Sequence, residues 1–349
     1  MKTRAAIVGA TGYTGGELAR LLLGHPGFEL AGLYRLGSET AVSLAEAQPH
    51  LFGLTDLTCV AYDEAALRRS AQVVFFATPN GQAMKLAPAL LEAGVKVIDL
   101  AADYRLHDVA AYRQWYKLEH ASESWLARAI YGLPEVYREA VRKAELVANP
   151  GCYPTSAILA LAPLLEARLV ELSSLIVDSA SGVSGAGRAH VTTSYLFSEV
   201  AGDYKAYGVA QHRHTPEIEQ ELSHLAGEAV QISFTPHLLP VSRGILTTAY
   251  ATLVRPVSAD ELQGLYATRF AAEPFVRVRP SGTSPQLKQV VGSNFCDVSV
   301  TPDPRTGRVI ALAAIDNLIK GAAGQAVQNA NLMTGQDERA GLVTGALAP

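Results

Sequence analysis

The hydrophobic pattern changes character once along the chain, near residue 150. Before that point, short apolar runs alternate with stretches of helical period. Ala5-Ala6-Ile7-Val8, Leu30-Ala31-Gly32-Leu33-Tyr34, Val73-Val74-Phe75-Phe76-Ala77 and Val95-Lys96-Val97-Ile98-Asp99-Leu100 are the runs. Each has strand length, and Ala5-Ala6-Ile7-Val8 is suited to a buried parallel strand. Helical spacing fills Glu17 to Leu23 and about Ala83 to Ala93, the latter stopped by Gly94. Such alternation predicts a doubly wound parallel sheet with helices on both faces and a ligand at the carboxyl ends of the strands. After residue 150 the runs become β-branched and helices sparser: 175–180, 229–234, 245–250, 290–291 and 295–300. That texture predicts a second, α+β domain with a mixed, largely antiparallel sheet. A helix opened by Pro154 or Thr155, with Ile158, Leu161, Leu164, Leu165 and Leu169 on its apolar face, leads this half. The expected domains are 1–150, completed by a helical segment 316–349, and 151–315.

Composition narrows the partners. A chain of 349 residues is long enough for two substantial cores. A formal net charge of −4 without a Lys/Arg stripe argues against nucleic acid. The three cysteines, Cys59, Cys152 and Cys296, form neither a disulfide framework nor a C-x-x-C metal pattern. They suit a reducing cytoplasm. The N-terminus lacks the segments of a signal peptide, and no apolar stretch reaches membrane-spanning length, so no membrane partner is expected.

Candidate chemistry begins at residue 9. Gly9-Ala10-Thr11-Gly12-Tyr13-Thr14-Gly15 directly follows the first strand and opens a helix. Strand, glycine-rich turn and helix in that order make a dinucleotide site, with the pyrophosphate on the helix N-terminus. The spacing is G-x-x-G-x-x-G, a departure from the commoner G-x-G-x-x-G. Arg35 ends the second strand and Ser38 lies three residues on, where an NAD site usually presents an acidic side chain. A positive group there favours NADP(H). Thr78-Pro79-Asn80-Gly81 and Ala101-Ala102-Asp103-Tyr104-Arg105 fall at further strand ends, and Pro79 is expected beside the cofactor.

A nucleophile is expected at Cys152, in Asn149-Pro150-Gly151-Cys152-Tyr153-Pro154-Thr155. A thiol at a helix entrance meets free N–H groups and the positive end of the helix dipole, which favour a thiolate and could hold an oxyanion. His212-Arg213-His214-Thr215-Pro216-Glu217 supplies two histidines ahead of a second helix, capped by Thr215 and starting at Pro216. One of His212 and His214 would be the acid/base, with His212 the first choice. No metal site is expected, because H-x-H lacks further ligands. Ser181-Gly182-Val183-Ser184-Gly185-Ala186-Gly187-Arg188 is a glycine-rich loop able to present amides and a guanidinium to a ligand.

Taken together these segments resemble the N-acetyl-gamma-glutamyl-phosphate reductases, in the aspartate-semialdehyde dehydrogenase-like superfamily, over essentially the full length. Gly9 to Gly15 match the cofactor turn, Asn149 to Thr155 the nucleophile signature, Ser181 to Arg188 the substrate loop, and His212 to Gln220 the histidine segment. Asp316-Asn317-Leu318-Ile319-Lys320-Gly321 matches the segment that returns to the nicotinamide, which brings Asn317 to the cofactor. The resemblance implies a Rossmann-type first domain, NADP(H), a Cys152 thioester and release of phosphate in arginine biosynthesis. Arg105, Asn149, Ser184, Gly185, Arg188 and Glu217 are the implied substrate contacts. A small acyl phosphate is the implied partner, with the second domain assembling a homodimer or homotetramer. The nearest rival is the carrier-protein-linked aminoadipyl-phosphate reductase, whose substrate is one methylene longer. A non-catalytic NADP-binding regulator and a cysteine hydrolase are more distant.

Overall fold

The computed structural model describes every residue except 38–39, 189–191 and 348–349. It divides into two compact units. The first comprises Met1–Pro150, Gly187–Ala189 and Ala322–Val343, and the second Gly151–Ala186, His190–Gly321 and Thr344–Pro349. The first unit's leading piece ends at Pro150 and the second unit begins at Gly151. The C-terminal return to the first unit starts at Ala322 rather than 316, because Asp316 is held within the second unit by Arg243 and the Gly292 N–H.

The first unit carries β1 (Thr3–Val8), β2 (Phe28–Arg35), β3 (Val42–Ser43), β4 (Thr58–Ala61), β5 (Val73–Phe76), β6 (Lys96–Asp99), β7 (Ile130–Tyr131) and β8 (Leu146–Ala148). Their order is β3-β4-β2-β1-β5-β6-β8-β7, parallel throughout except for the β3–β4 edge pair. β1 is central, with Val8 opposite Tyr34 on one side and Phe76 on the other. Ala5 to Val8 are wholly buried, as an all-apolar strand in a doubly covered sheet must be. The chain therefore leaves β1 at the switch point of strand order, where open α/β sheets bind ligands. Val74, Phe76, Val97, Leu90, Tyr104 and Tyr112 share one core cluster beneath those strand ends. The helix Gly324–Met333 packs on the helices Tyr13–Leu23 and Pro134–Lys143.

The second unit carries β9 (Ile176–Gly182), β10 (Lys205–Ala206), β11 (Ser233–Leu239), β12 (Ile245–Thr252), β13 (Val276–Val278), β14 (Cys296–Asp303) and β15 (Arg308–Ile315). In the order β10-β11-β9-β12-β15-β14-β13, four neighbouring pairs are antiparallel and two, β11–β9 and β13–β14, parallel. The sheet is mixed, as expected. Helix Cys152–Glu166 lies on β12, β14 and β15, and is buried nearly all round from Tyr153 to Leu165.

Three local expectations fail for visible reasons. Residues 229–232 are not strand: Ser223 Oγ accepts the Val230 N–H and Glu219 accepts the Ile232 N–H, so side chains take the donors a ladder would use. Val290-Val291 close a turn on the Leu287 carbonyl after the 3₁₀ segment Leu287–Gln289. Thr215 is the first helical residue of Thr215–Ala226, not its cap; His214 occupies the N-cap position. Among the described residues, no helix is long and apolar enough to cross a membrane.

Candidate active site

In the first unit the site is built on the turn after β1. Gly9 has φ of +98° and donates its N–H to Tyr34 O at 2.7 Å. A Cβ there would stand 2.3 Å from the Ala77 carbonyl oxygen, so only glycine lets the chain turn this tightly against β5. Gly12 is the N-cap of helix Tyr13–Leu23 and offers no capping side chain, which leaves the first turn without a side-chain cap, as an anion-binding helix start requires. Gly15 is buried in that first turn, while Tyr13 is exposed. Gln48, unnoticed in the sequence, is buried and donates from Nε2 to the carbonyls of Ala10 (3.1 Å) and Gly12 (2.9 Å). It fixes the turn from 38 and 36 residues away, which no local pattern marks. A cavity of about 360 Å³ opens beside the turn, lined by Thr11, Gly12, Arg35, Val42, Ala47 and Arg188. Strand, glycine turn, amide-bearing helix start and two guanidinium groups fit a phosphorylated dinucleotide. Ser38 lies outside the described residues.

Pro79 follows β5 in a loop pinned at both ends. The Asn80 side chain accepts the Ala102 N–H at 3.2 Å, and the buried Asp103 accepts the N–H groups of Gly81 (2.6 Å) and Met84 (3.0 Å). Arg105 is buried as well. Its Nε donates to Asn149 O and its Nη2 to Leu100 O, both at 2.7 Å. Asn149 is wholly buried, with Nδ2 on Ala322 O and Oδ1 accepting from Asn329 Nδ2, each at 3.1 Å. Two Arg105 donors and the whole Asn149 amide thus hold the main chain that leads to Gly151.

In the second unit, Cys152 is the first residue of its helix and is half-buried, with Gly151 as N-cap. The helix begins ahead of both Pro154 and Thr155, the expected openers, so the thiol is on the first turn. Glu217, fully buried, accepts the Gly151 N–H at 2.7 Å. The residue expected among substrate contacts therefore grips the cap of the nucleophile helix. Gly321 presses from the other side: a Cβ on it would be 2.8 Å from Cys152 Cβ.

Both histidines pack edge-on against Tyr153, His212 at 5.4 Å and His214 at 5.9 Å between ring centroids. Tyr207 and Phe234 complete the cage around His212. Burial in that cage, with the Arg213 charge second, lowers the His212 pKa to about 4. Its Nδ1 accepts the His214 backbone N–H at 3.1 Å, so the neutral ring carries its proton on Nε2. The Tyr153 and Tyr207 hydroxyls meet at 2.7 Å, and burial raises both phenols above their ordinary range.

Ser184 and Gly185 come together with Asn317, whose Nδ2 donates to Ser184 Oγ (2.9 Å) and whose Oδ1 accepts the Gly244 N–H (2.7 Å). Asn317 thus belongs to the second unit and braces the glycine-rich loop. Arg188, three residues beyond Gly185, belongs to the first unit. Asp316, named in the sequence only as part of the returning segment, is fully buried; it accepts from Arg243 and from the N–H groups of Gly292 (2.7 Å), Leu318 (2.8 Å) and Ile319 (3.1 Å). Among the described residues, no group of three or more His, Cys, Asp or Glu could hold a metal ion.

Two family descriptions match this chain: semialdehyde dehydrogenase, NAD binding domain, over residues 4–144, and semialdehyde dehydrogenase, dimerisation domain, over residues 152–317. The class is thereby fixed as a nicotinamide-dinucleotide oxidoreductase of the semialdehyde dehydrogenase type. Aspartate semialdehyde dehydrogenase II of Vibrio cholerae has the same fold, with a TM-score of 0.73 at 19% identity over 96% of this chain and 99% of that one. The enzyme of Candida albicans, solved with NADP, gives 0.70 at 17% identity, again covering 96% and 99%. Among curated proteins, N-acetyl-gamma-glutamyl-phosphate reductase of Pelotomaculum thermopropionicum is 54% identical over 100% of both chains. That of Moorella thermoacetica is 53% identical over 99% of both. The chain belongs to the N-acetyl-gamma-glutamyl-phosphate reductase family.

Proposed function

We propose that this chain reduces N-acetyl-γ-glutamyl phosphate to N-acetylglutamate 5-semialdehyde, using NADPH and releasing phosphate, through a thioester on Cys152. The observation that carries this reading is a half-buried cysteine at the first position of a 15-residue helix whose cap is gripped by a buried carboxylate. Support for the substrate comes from the names of relatives more than half identical along the whole chain. Support for NADPH comes from Arg35 and the cavity it lines, which has no acidic side chain among its described lining residues.

Cys152 Sγ bonds to the acyl carbon, and the bond from that carbon to the phosphate oxygen breaks. The thiol proton passes through a histidine to the departing phosphate. When bound, NADPH supplies hydride to the thioester carbonyl. The carbon–sulfur bond then breaks, the aldehyde departs, and the sulfur regains a proton. Splitting the reduction this way replaces one difficult step by two easier ones. In both tetrahedral species the oxyanion falls to the first-turn amides of Cys152 and Tyr153, since Pro154 has no N–H. Such donors are typically worth about 3 kcal/mol each.

For the proton transfer the pair divides its labour. A ring with a pKa of about 4 and an engaged Nδ1 is a poor base near neutrality, so His212 serves as a neutral Nε2–H donor and His214 moves the proton. This reverses the preference drawn from the sequence. Arg105 remains the candidate for the acyl-phosphate anion, Ser184 and Gly185 for the acyl chain, and Glu217 is a positioning residue. Assembly as a homodimer or homotetramer in the cytoplasm is part of the reading, supported for assembly by the dimerisation-domain match.

The test runs the reaction backwards at alkaline pH, with N-acetylglutamate semialdehyde, phosphate and NADP. Phosphate-dependent NADPH formation by the parent and none by Cys152→Ala is expected. Activity confined to a carrier-linked aminoadipate semialdehyde would replace the proposed substrate.

A further inference from the structure

Arg188 stands in the glycine-rich segment after β9, yet it groups with the dinucleotide-binding unit and lines the cavity beside Arg35. Its Nη1 donates to two main-chain carbonyls there, Ala47 O and, at 3.2 Å, Thr11 O. Among the described residues, Nε and Nη2 have no hydrogen-bond partner. One edge of the guanidinium is thus docked on the cofactor turn, while its remaining donors are open to a ligand. Arg35 reaches the same cavity from the end of β2, its Nη1 donating to Thr40 O at 3.3 Å.

We propose that Arg188 and Arg35 together form the subsite for the 2′-phosphate of NADP(H), and that Arg188 sets the preference for NADP(H) over NAD(H). The inference rests on the NADPH reading above and adds a residue that sequence logic assigned to the substrate. Three observations favour it. The end of the second strand is where such folds meet the adenosine ribose, so a second cation in that cavity lies beside the 2′ position. A phosphate monoester carries nearly two charges and three acceptor oxygens, which a guanidinium matches with paired donors. The carbonyl contacts fix the plane of the Arg188 fork, limiting the entropy lost when phosphate binds.

The experiment measures binding of adenosine 2′,5′-bisphosphate and of 5′-AMP by calorimetry, for the parent, Arg188→Gln and Arg188→Lys. Arg188 is exposed, so the variants are expected to fold; circular dichroism checks this. The parent should favour the bisphosphate. Arg188→Gln should weaken the bisphosphate about tenfold, the exposed end of the range for a charged hydrogen bond, and leave 5′-AMP unchanged. Arg188→Lys should fall between, because it keeps charge without the fork. The ratio of kcat/KM for NADPH to that for NADH should fall in parallel. Equal weakening of both nucleotides, or a higher KM for the acyl phosphate alone, would overturn the assignment. A parent that binds both nucleotides equally would instead remove the NADPH reading beneath it.

Discussion

The carboxylate of Glu217 accepts the N–H of Gly151 at 2.7 Å from a fully buried position, tying the histidine-bearing helix to the cap of the nucleophile helix. The contact joins residues 66 apart in sequence and sets where the Cys152 backbone begins its first turn. Glu217→Gln keeps an acceptor oxygen and is expected to lose little stability. Glu217→Ala leaves a buried donor unmet and should cost about 1–3 kcal/mol in urea unfolding. It should also lower kcat by about tenfold to a hundredfold, since small misplacements of a nucleophile are costly. A kcat unchanged in Glu217→Ala would remove the positioning role.

Gly321 has no room for a side chain. Its Cβ would lie 2.8 Å from Cys152 Cβ, 3.2 Å from Cys152 Cα and 3.3 Å from Ile315 Cδ1. Gly321 is also held in place by its N–H on Asp316 O at 2.9 Å, so the strain falls on the cysteine. Gly321→Ala should destabilise the fold by about 1–3 kcal/mol, as overpacking does. It should also slow both turnover and iodoacetamide labelling of Cys152. Parent-like labelling would show that the nucleophile does not feel this neighbour.

His212 gives stability a definite pH dependence. Its pKa is about 4 in the fold against 6.5 for the unperturbed side chain, so between those values the unfolded chain binds the extra proton. The neutral ring's contribution is therefore complete above pH 6.5 and is lost as pH falls toward 4. Over that window it amounts to about 3 kcal/mol. His212→Asn should flatten the fall in urea midpoint between pH 7 and pH 5 relative to the parent. An identical fall in both would place the titration elsewhere.

Asp316 anchors the turn that precedes Gly321. Removing its carboxylate takes the ion-pair partner from Arg243 and the acceptor from three backbone donors. Asp316→Ala should cost about 3–5 kcal/mol, the range for breaking a buried pair from one side. Asp316→Asn retains an acceptor and should cost less. Equal midpoints for the two variants would contradict this account.

What the sequence made legible was whatever a short window encodes. Gly9 to Gly15 after an apolar strand, and Cys152 between Gly151 and Pro154, sit where local chemistry requires. The strand expected at 229–234 begins only at Ser233, because Val230 and Ile232 have β-branched side chains while their N–H groups are claimed by Ser223 and Glu219. Gln48, Glu217 and Asp316 act on main-chain groups that only the fold brings to them, so no spacing announces their partners. Arg188 shows the same limit from the other side. It stands in a glycine-rich run after β9, and no local pattern marks that Gly187 and Arg188 group with the first unit.

The thioester on Cys152 is the central claim, and intact-mass spectrometry reaches it most directly. The protein is mixed with N-acetyl-γ-glutamyl phosphate without NADPH, alongside Cys152→Ala. The parent should gain the mass of one N-acetylglutamyl group and lose it when NADPH is added, and the variant should gain nothing. Turnover by Cys152→Ala at the parent's rate, or an acyl group carried on any other residue, would contradict the account.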